Sequence, residues 1–175
     1  GEGVVVLDID PGMAFGTGTH VTTVMCARLL EKYIRPGNSV IDVGTGTGIL
    51  AMGAACLGAG EVLALDCDPV AVKVARENVH QNGLSDKVRV EINDLLTGLE
   101  IKADLVTANI IADIIIRLLP QVKSGLNPGG IFIASGIIGE RKNDVAKAAG
   151  KLGFMLVEEQ EEEDWTAQVW KAKES

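Results

Sequence analysis

Aromatic residues are scarce in this 175-residue chain: two Trp, one Tyr and three Phe. So few rings argue against a surface that reads single-stranded nucleic acid by stacking its bases. Positive charge is also in short supply, with 16 Lys and Arg against 24 Asp and Glu and a formal net charge of -8. Phosphate backbones are held by basic patches, so no direct nucleic-acid partner is expected, and a basic protein suits this balance better. The three cysteines, Cys26, Cys56 and Cys67, form no C-x-x-C pair. Neither a disulfide framework nor a zinc site follows, and small buried thiols in a reducing compartment are expected. Long apolar runs are missing as well. The best candidate, residues 110–119, is interrupted by Asp113 and Arg117, whereas a membrane helix needs about 18 uninterrupted residues. The first residues do not read as a basic-then-apolar leader. A soluble, cytoplasmic chain with no membrane partner is the expectation.

What is abundant is apolar surface, 47% of residues, and glycine, 21 residues. The length is that of one domain, and the apolar content is enough for a sizeable core. Short β-branched runs alternate with helical stretches. Residues 40–43, 62–65, 88–92, 103–108 and 131–135 read as strands, and residues 49–57, 69–81, 111–123 and 140–152 as helices, the third with a bend at Pro120. Asp68 and Pro69 open the second helix as N-cap and first-turn proline, and Asn82-Gly83 closes it. Residues 127–130, Asn-Pro-Gly-Gly, form a turn. Residues 154–158 and 166–171 then read as two strands in succession. Alternation of this kind implies a doubly wound, mostly parallel α/β sheet, and the final strand pair implies an antiparallel edge.

Gly44, Gly46 and Gly48 lie between the first strand and the first helix, where a doubly wound sheet binds nucleotides. The spacing is G-x-G-x-G. A dinucleotide fingerprint needs a third glycine where Ile49 stands, so an adenosyl ligand without a pyrophosphate fits better. Asp66 ends the next strand, 22 residues after Gly44, where a carboxylate accepts hydrogen bonds from both hydroxyls of a ribose. The plainer alternative is that the glycines only shape a tight turn and Asp66 caps the following helix. Asn109, at the end of the fourth strand, faces the same crevice in such a sheet; its plainer role is the N-cap of the helix beginning near Ile110. Upstream, residues 10–23 (DPGMAFGTGTHVTT) read either as a loop that folds over a ligand or as an ordinary mobile loop. Six acids in the seven residues 158–164 read as a solvated turn between the last two strands, with attraction of a basic substrate as the alternative. His80 reads as a surface residue, and His20, in the glycine loop, either as a residue touching the site or as a loop-ordering one.

The glycine loop with Asp66 resembles class I S-adenosylmethionine-dependent methyltransferases. Together with DPGMAFGTGTHVTT, ALDCDPVAV, ANIIAD, SGII and EEEDWTAQVW, it resembles more specifically the catalytic domain of the large-subunit ribosomal protein L-eleven methyltransferase family, over nearly the whole chain. The resemblance implies a Rossmann-like, seven-stranded sheet with S-adenosyl-L-methionine as cofactor. It implies that Thr23, Gly44, Gly46, Asp66, Asn109 and Phe15 bind the cofactor, and that Asn109 also lies where the methyl meets the acceptor nitrogen. Asp94 would take the adenine side. The implied reaction transfers methyl groups to lysine side-chain or N-terminal amines of a ribosomal protein of the large subunit, by a chain expected to be monomeric.

Two departures from the family pattern stand out. Thr45 occupies a position where a small residue or cysteine is usual, and a separate substrate-docking domain that precedes the catalytic domain in the family is expected to be absent, leaving residues 1–175 as one methyltransferase domain. Either an isolated catalytic fragment or a shorter relative with a different protein or small-molecule amine acceptor is therefore open. Three rivals come from elsewhere: a NAD-binding oxidoreductase, which lacks its third glycine; a nucleic-acid base methyltransferase, whose N-P-P-Y is replaced by Ile110 and Ile111 after Asn109; and a cofactor-binding module without catalysis.

Overall fold

The computed structural model describes residues 20–172. Helix α1 (His20–Tyr33) precedes strand β1 (Ser39–Val43), helix α2 (Ile49–Cys56), strand β2 (Glu61–Asp66), helix α3 (Pro69–Gln81) and strand β3 (Val88–Ile92). Strand β4 (Ala103–Asn109), helix α4 (Ala112–Gly125), strand β5 (Leu126–Ile138), a 3₁₀ turn (Gly139–Arg141), helix α5 (Lys142–Lys151) and strands β6 (Met155–Glu162) and β7 (Trp165–Lys171) follow. The strands form one sheet in the order β3-β2-β1-β4-β5-β7-β6. The first five run parallel, and β7 is antiparallel to both β5 and β6. The expected mostly parallel sheet with an antiparallel edge is thus present.

Each element follows from local chemistry. The Asp68 side chain accepts the Val70 amide at 2.9 Å and Pro69 fills the first turn of α3, which satisfies a helix-end donor that would otherwise have none. Ala71, Val72, Ala75 and Val79 then recur at helical spacing and are buried. In α4, Ile115, Leu118, Leu119 and Val122 make the same stripe, all fully buried. The helix continues past Pro120 to Gly125.

Two apolar layers result. Leu29, Leu30, Met52, Val72 and Val79 pack with Val40, Val62 and Leu105 on one face. Leu118, Leu119, Val122 and Val145 pack with Ile41, Val106, Phe132 and Trp170 on the other. Burying each such side chain contributes about 1.5–3 kcal/mol before chain entropy is counted. At the β3 edge, Arg76 donates from Nε and Nη2 to the Val90 carbonyl, which blunts an edge open to strand pairing.

Three expectations are corrected. The Asn-Pro-Gly-Gly turn is absorbed into β5, because Leu126 already pairs with Ala103 before the register shifts. The acidic run is mostly strand: Glu158 to Glu162 lie in β6, and only Glu163, at φ 56, and Asp164 turn. Basic partners hold those acids in place, Lys32 on Glu158, Arg28 on Glu162 and Lys142 on Glu161. Of the cysteines only Cys26 is buried, while Cys56 and Cys67 are exposed.

Candidate functional site

The strand order reverses between β1 and β4, and at such a point the connections diverge and leave a crevice beyond the carboxyl ends. β1 runs into a loop whose Gly44, Gly46 and Gly48 have φ of 73, 57 and 87, a region that side-chain-bearing residues rarely adopt. A Cβ at Gly44 would lie 2.7 Å from Ile110 Cγ2, so bare backbone is required there. The end of β2 holds this loop. Gly44 and Thr45 both donate to the Leu65 carbonyl at 2.8 Å, and the Gly46 amide donates to Asp66 Oδ2 at 2.9 Å. Asp66 Oδ1 accepts the Asp68 amide at 3.0 Å. A carboxylate has about four acceptor positions, so each Asp66 oxygen keeps one for a ligand, which is what a pair of neighbouring hydroxyls requires. The turn-shaping alternative is therefore compatible with binding, while the N-cap of α3 is Asp68 rather than Asp66.

Beneath the loop, Asp42 is buried in the sheet. Its Oδ2 accepts the Thr45 hydroxyl at 2.7 Å, and its Oδ1 has no hydrogen-bond partner among the described residues. Burial pushes the Asp42 carboxyl up to about 7; the Thr45 hydroxyl opposes the rise, the Asp66 charge adds to it, and the Ala51 amide opposes it. The departure at Thr45 thus has a local reason: its hydroxyl serves a buried carboxyl.

On the other side of the crevice, α1 crosses the ends of β4 and β5 through polar contacts. Asn109 Nδ2 donates to Thr23 Oγ1 at 3.2 Å. The Ser135 hydroxyl donates to the Thr22 carbonyl at 3.0 Å, and Cys26 Sγ lies 3.0 Å from Thr107 Oγ1. Burial pushes the Cys26 thiol up to about 12, with Thr107 opposing and Asp42 adding, so it stays a neutral packing group. Asn109 Oδ1 is buried without a hydrogen-bond partner among the described residues. A buried amide oxygen left bare is costly, so it marks a place where a donor from outside is expected. Asn109 is not the cap of α4: that position is Ile111, which makes no side-chain cap bond.

The predicted residues therefore gather as two pairs, Gly46 with Asp66 and Thr23 with Asn109, and Gly44 meets the second pair through Ile110. Asp94 is engaged elsewhere, its Oδ1 3.1 Å from Arg117 Nη2 on an exposed surface. Phe15 and residues 10–19 of the upstream loop lie outside the described residues, as does the side chain of His20. His80 is exposed. A cavity of about 720 Å³ opens near Ser39, Glu61, Arg76, Lys87, Arg89 and Lys102, far along the strands from these pairs, and holds none of the predicted residues.

Reading the sequence missed Asp42 and Gly136. A Cβ at Gly136 would come within 2.9 Å of Asn109 Oδ1 and 2.8 Å of the Ile110 carbonyl, and its φ is 84. A glycine inside a strand signals such a close approach, and that signal was available in SGII.

Residues 1–173 match the family model described as Ribosomal protein L11 methyltransferase (PrmA). The ribosomal protein L11 methyltransferase of Pelotomaculum thermopropionicum is 53% identical over 166 residues, which is 95% of this chain and 54% of that protein. That of Heliobacterium modesticaldum is 55% identical over 168 residues, 96% of this chain and 53% of that protein. The chain thus spans about half the length of the curated relatives it matches. A crystal structure of ribosomal protein L11 methylase from Lactobacillus delbrueckii subsp. bulgaricus superposes with a TM-score of 0.87 at 36% identity, covering 94% of this chain and 84% of that one. The crevice, the two residue pairs and these matches over almost the full sequence lead to one conclusion: the chain belongs to the ribosomal protein L11 methyltransferase family.

Proposed function

We propose that this chain carries the cofactor-binding and transfer site of an S-adenosylmethionine-dependent protein N-methyltransferase, acting on lysine side-chain or N-terminal amines of ribosomal protein L11. The observation that carries the reading is Asn109 Oδ1, buried and without a partner at the crevice while the amide nitrogen beside it is fixed by Thr23. Family membership supplies the reaction class, and the adenosyl ligand agrees with the glycine spacing.

S-Adenosylmethionine supplies a methyl group on a positively charged sulfur, and on transfer the C–S bonding pair stays with sulfur while the amine lone pair forms the new C–N bond. The residues do the rest by position. Asp66 uses its two remaining acceptor positions for the ribose hydroxyls. Gly44 lets a ligand approach the backbone where a side chain would collide with Ile110. Asn109 Oδ1 accepts one N–H of the incoming amine and so turns the lone pair toward the methyl. A lysine amine with a reference pKa of about 10.4 must first release a proton, which goes to solvent. Holding the two reactants in line is worth roughly 7–11 kcal/mol of barrier.

The test is incubation of purified chain with methyl-labelled S-adenosylmethionine and ribosomal protein L11, with calorimetry of S-adenosylhomocysteine and NAD alongside. Label on amine nitrogens and binding of S-adenosylhomocysteine alone support the reading. Binding of NAD instead would return the chain to the oxidoreductase class, and binding without transfer to any amine would leave only the non-catalytic module.

A further inference from the structure

Two acids hold neighbouring residues of the glycine loop, and neither has a positive partner. Asp42 accepts the Thr45 hydroxyl at 2.7 Å, and Asp66 accepts the Gly46 amide at 2.9 Å. Among the described residues, no lysine, arginine or histidine forms an ion pair with either one. Asp42 is the more demanding of the two, because it is 1% exposed within the sheet. A buried carboxylate is costly unless a positive charge or a full set of hydrogen bonds accompanies it. Asp42 Oδ1 has no hydrogen-bond partner among the described residues. Whether the side chain is ionised or protonated, that oxygen is left unsatisfied by the chain itself.

The surroundings of Asp42 come from every element packed against it. The loop contributes Thr45, α2 the Ala51 amide, and the end of β2 the negative charge of Asp66. Thr107 of β4 is its register partner and lies against Cys26 of α1. Of these groups only Asp66 and Cys26 titrate, and burial pushes Cys26 up to about 12, so it stays neutral. Burial raises Asp42 itself to about 7. A change of charge nearby therefore moves its proton at neutral pH. The loop above it is the one that accommodates a ligand, so a positive ligand there supplies the counter-charge that the chain lacks.

We propose that Asp42 is a positioning residue that releases its proton when a positively charged ligand settles on the glycine loop, and so separates S-adenosylmethionine from S-adenosylhomocysteine. The inference rests on the methyltransferase reading and adds a charge preference to that site. S-Adenosylmethionine is held over an ionised Asp42, and S-adenosylhomocysteine, whose sulfur is uncharged, over a protonated one. The proton passes to solvent on binding and returns from solvent once transfer has removed the charge from sulfur. The effect reaches the loop through Thr45, whose hydroxyl is held more strongly by a carboxylate than by a neutral acid.

The test is calorimetry of both ligands on wild type, Asp42→Asn and Thr45→Ala. Each titration is repeated in phosphate and imidazole buffers, whose different ionisation heats report protons released. Wild type should release about half a proton with S-adenosylmethionine just below pH 7, and clearly less with S-adenosylhomocysteine. Between about pH 7.5 and 5.5, its affinity for S-adenosylmethionine should fall about three- to tenfold relative to S-adenosylhomocysteine. Asp42→Asn keeps any protons the ligands themselves exchange, and it should abolish both differences. Thr45→Ala removes a hydroxyl that opposes the raised Asp42 value, so the midpoint of the pH dependence should move upward. Equal proton release with the two ligands, or the same difference in wild type and Asp42→Asn, overturns the inference while leaving the methyltransferase reading intact. Should Asp42→Asn fail to fold, an unmoved midpoint in Thr45→Ala overturns it instead. Binding of neither ligand to wild type brings down the functional reading, and this inference with it.

Discussion

Asn109 Nδ2 donates to Thr23 Oγ1 at 3.2 Å, joining the end of β4 to the first turn of α1 across 86 residues of sequence. The bond fixes which way the Asn109 amide faces. With its nitrogen committed to Thr23, its oxygen is left buried and without a hydrogen-bond partner among the described residues, and the proposed transfer role rests on that atom. Thr23→Val removes that acceptor and frees the amide to rotate. Transfer is expected to fall about tenfold, the loss of roughly one hydrogen bond's worth of positioning, with the melting temperature nearly unchanged. Steady-state kinetics beside a thermal melt checks it, and full activity would show that the bond orients nothing.

Gly136→Ala puts a methyl 2.9 Å from Asn109 Oδ1 in a backbone at φ 84. Left-handed strain and the collision each cost of order 1 kcal/mol or more, so urea unfolding should show a loss of about 2–4 kcal/mol. The displaced Asn109 should lower transfer further than stability alone explains. A variant as stable as wild type would mean the strand end relaxes freely.

Asp66→Asn keeps size but loses charge and one acceptor. Hydrogen bonds to a charged group contribute about 1.5–3 kcal/mol, so affinity for S-adenosylhomocysteine is expected to drop roughly 10- to 100-fold by calorimetry. Affinity within twofold of wild type would remove Asp66 from ribose binding.

Asp42 should make stability depend on pH. Its folded value is raised from 3.8 to about 7 by burial, so the folded state binds the proton more tightly than the unfolded chain does. The sign follows: the contribution is fully present below 3.8 and is lost as pH rises to about 7. Every tenfold difference in proton affinity between the two states is worth about 1.4 kcal/mol, so a loss of a few kcal/mol across that window is expected. In Asp42→Asn, which cannot titrate, the slope should vanish. Urea midpoints at several pH values measure it, and equal slopes in both proteins would contradict it.

Glu158 shows the opposite sign. The Lys32 ammonium at 2.7 Å and the Tyr33 hydroxyl at 2.5 Å, with Gln160, hold its carboxyl down to about 2. Its contribution is present above 4.5 and is lost as pH falls toward 2. These contacts pin α1, which carries Thr23, onto β6. Glu158→Gln should cost about 1–2 kcal/mol at neutral pH, read from the same urea titration.

What the sequence made legible was local. The strand, glycine loop and helix around Gly44, the Asp68-Pro69 start of α3 and the acid at Asp66 all lie within one strand–helix–strand unit, where spacing alone determines proximity. What stayed hidden depends on distant pairs: Thr22 with Ser135, Cys26 with Thr107, and Gly136 against Asn109. No periodicity records which helix crosses which strand end. Asp42 escaped notice because a lone acid in an apolar strand reads as a surface position until its Thr45 partner is seen. The acids of β6 were misread as a turn because their basic partners sit on α1 and α5, far away in sequence.

The most direct measurement compares wild type with Asn109→Ala on the same preparations, reading S-adenosylhomocysteine affinity by calorimetry and methylation of ribosomal protein L11 by intact-mass spectrometry. An amide oxygen that orients the amine predicts mass gains of whole methyl increments with wild type, near-complete loss of transfer in the variant, and cofactor affinity largely kept. Equal methylation by both proteins would contradict it.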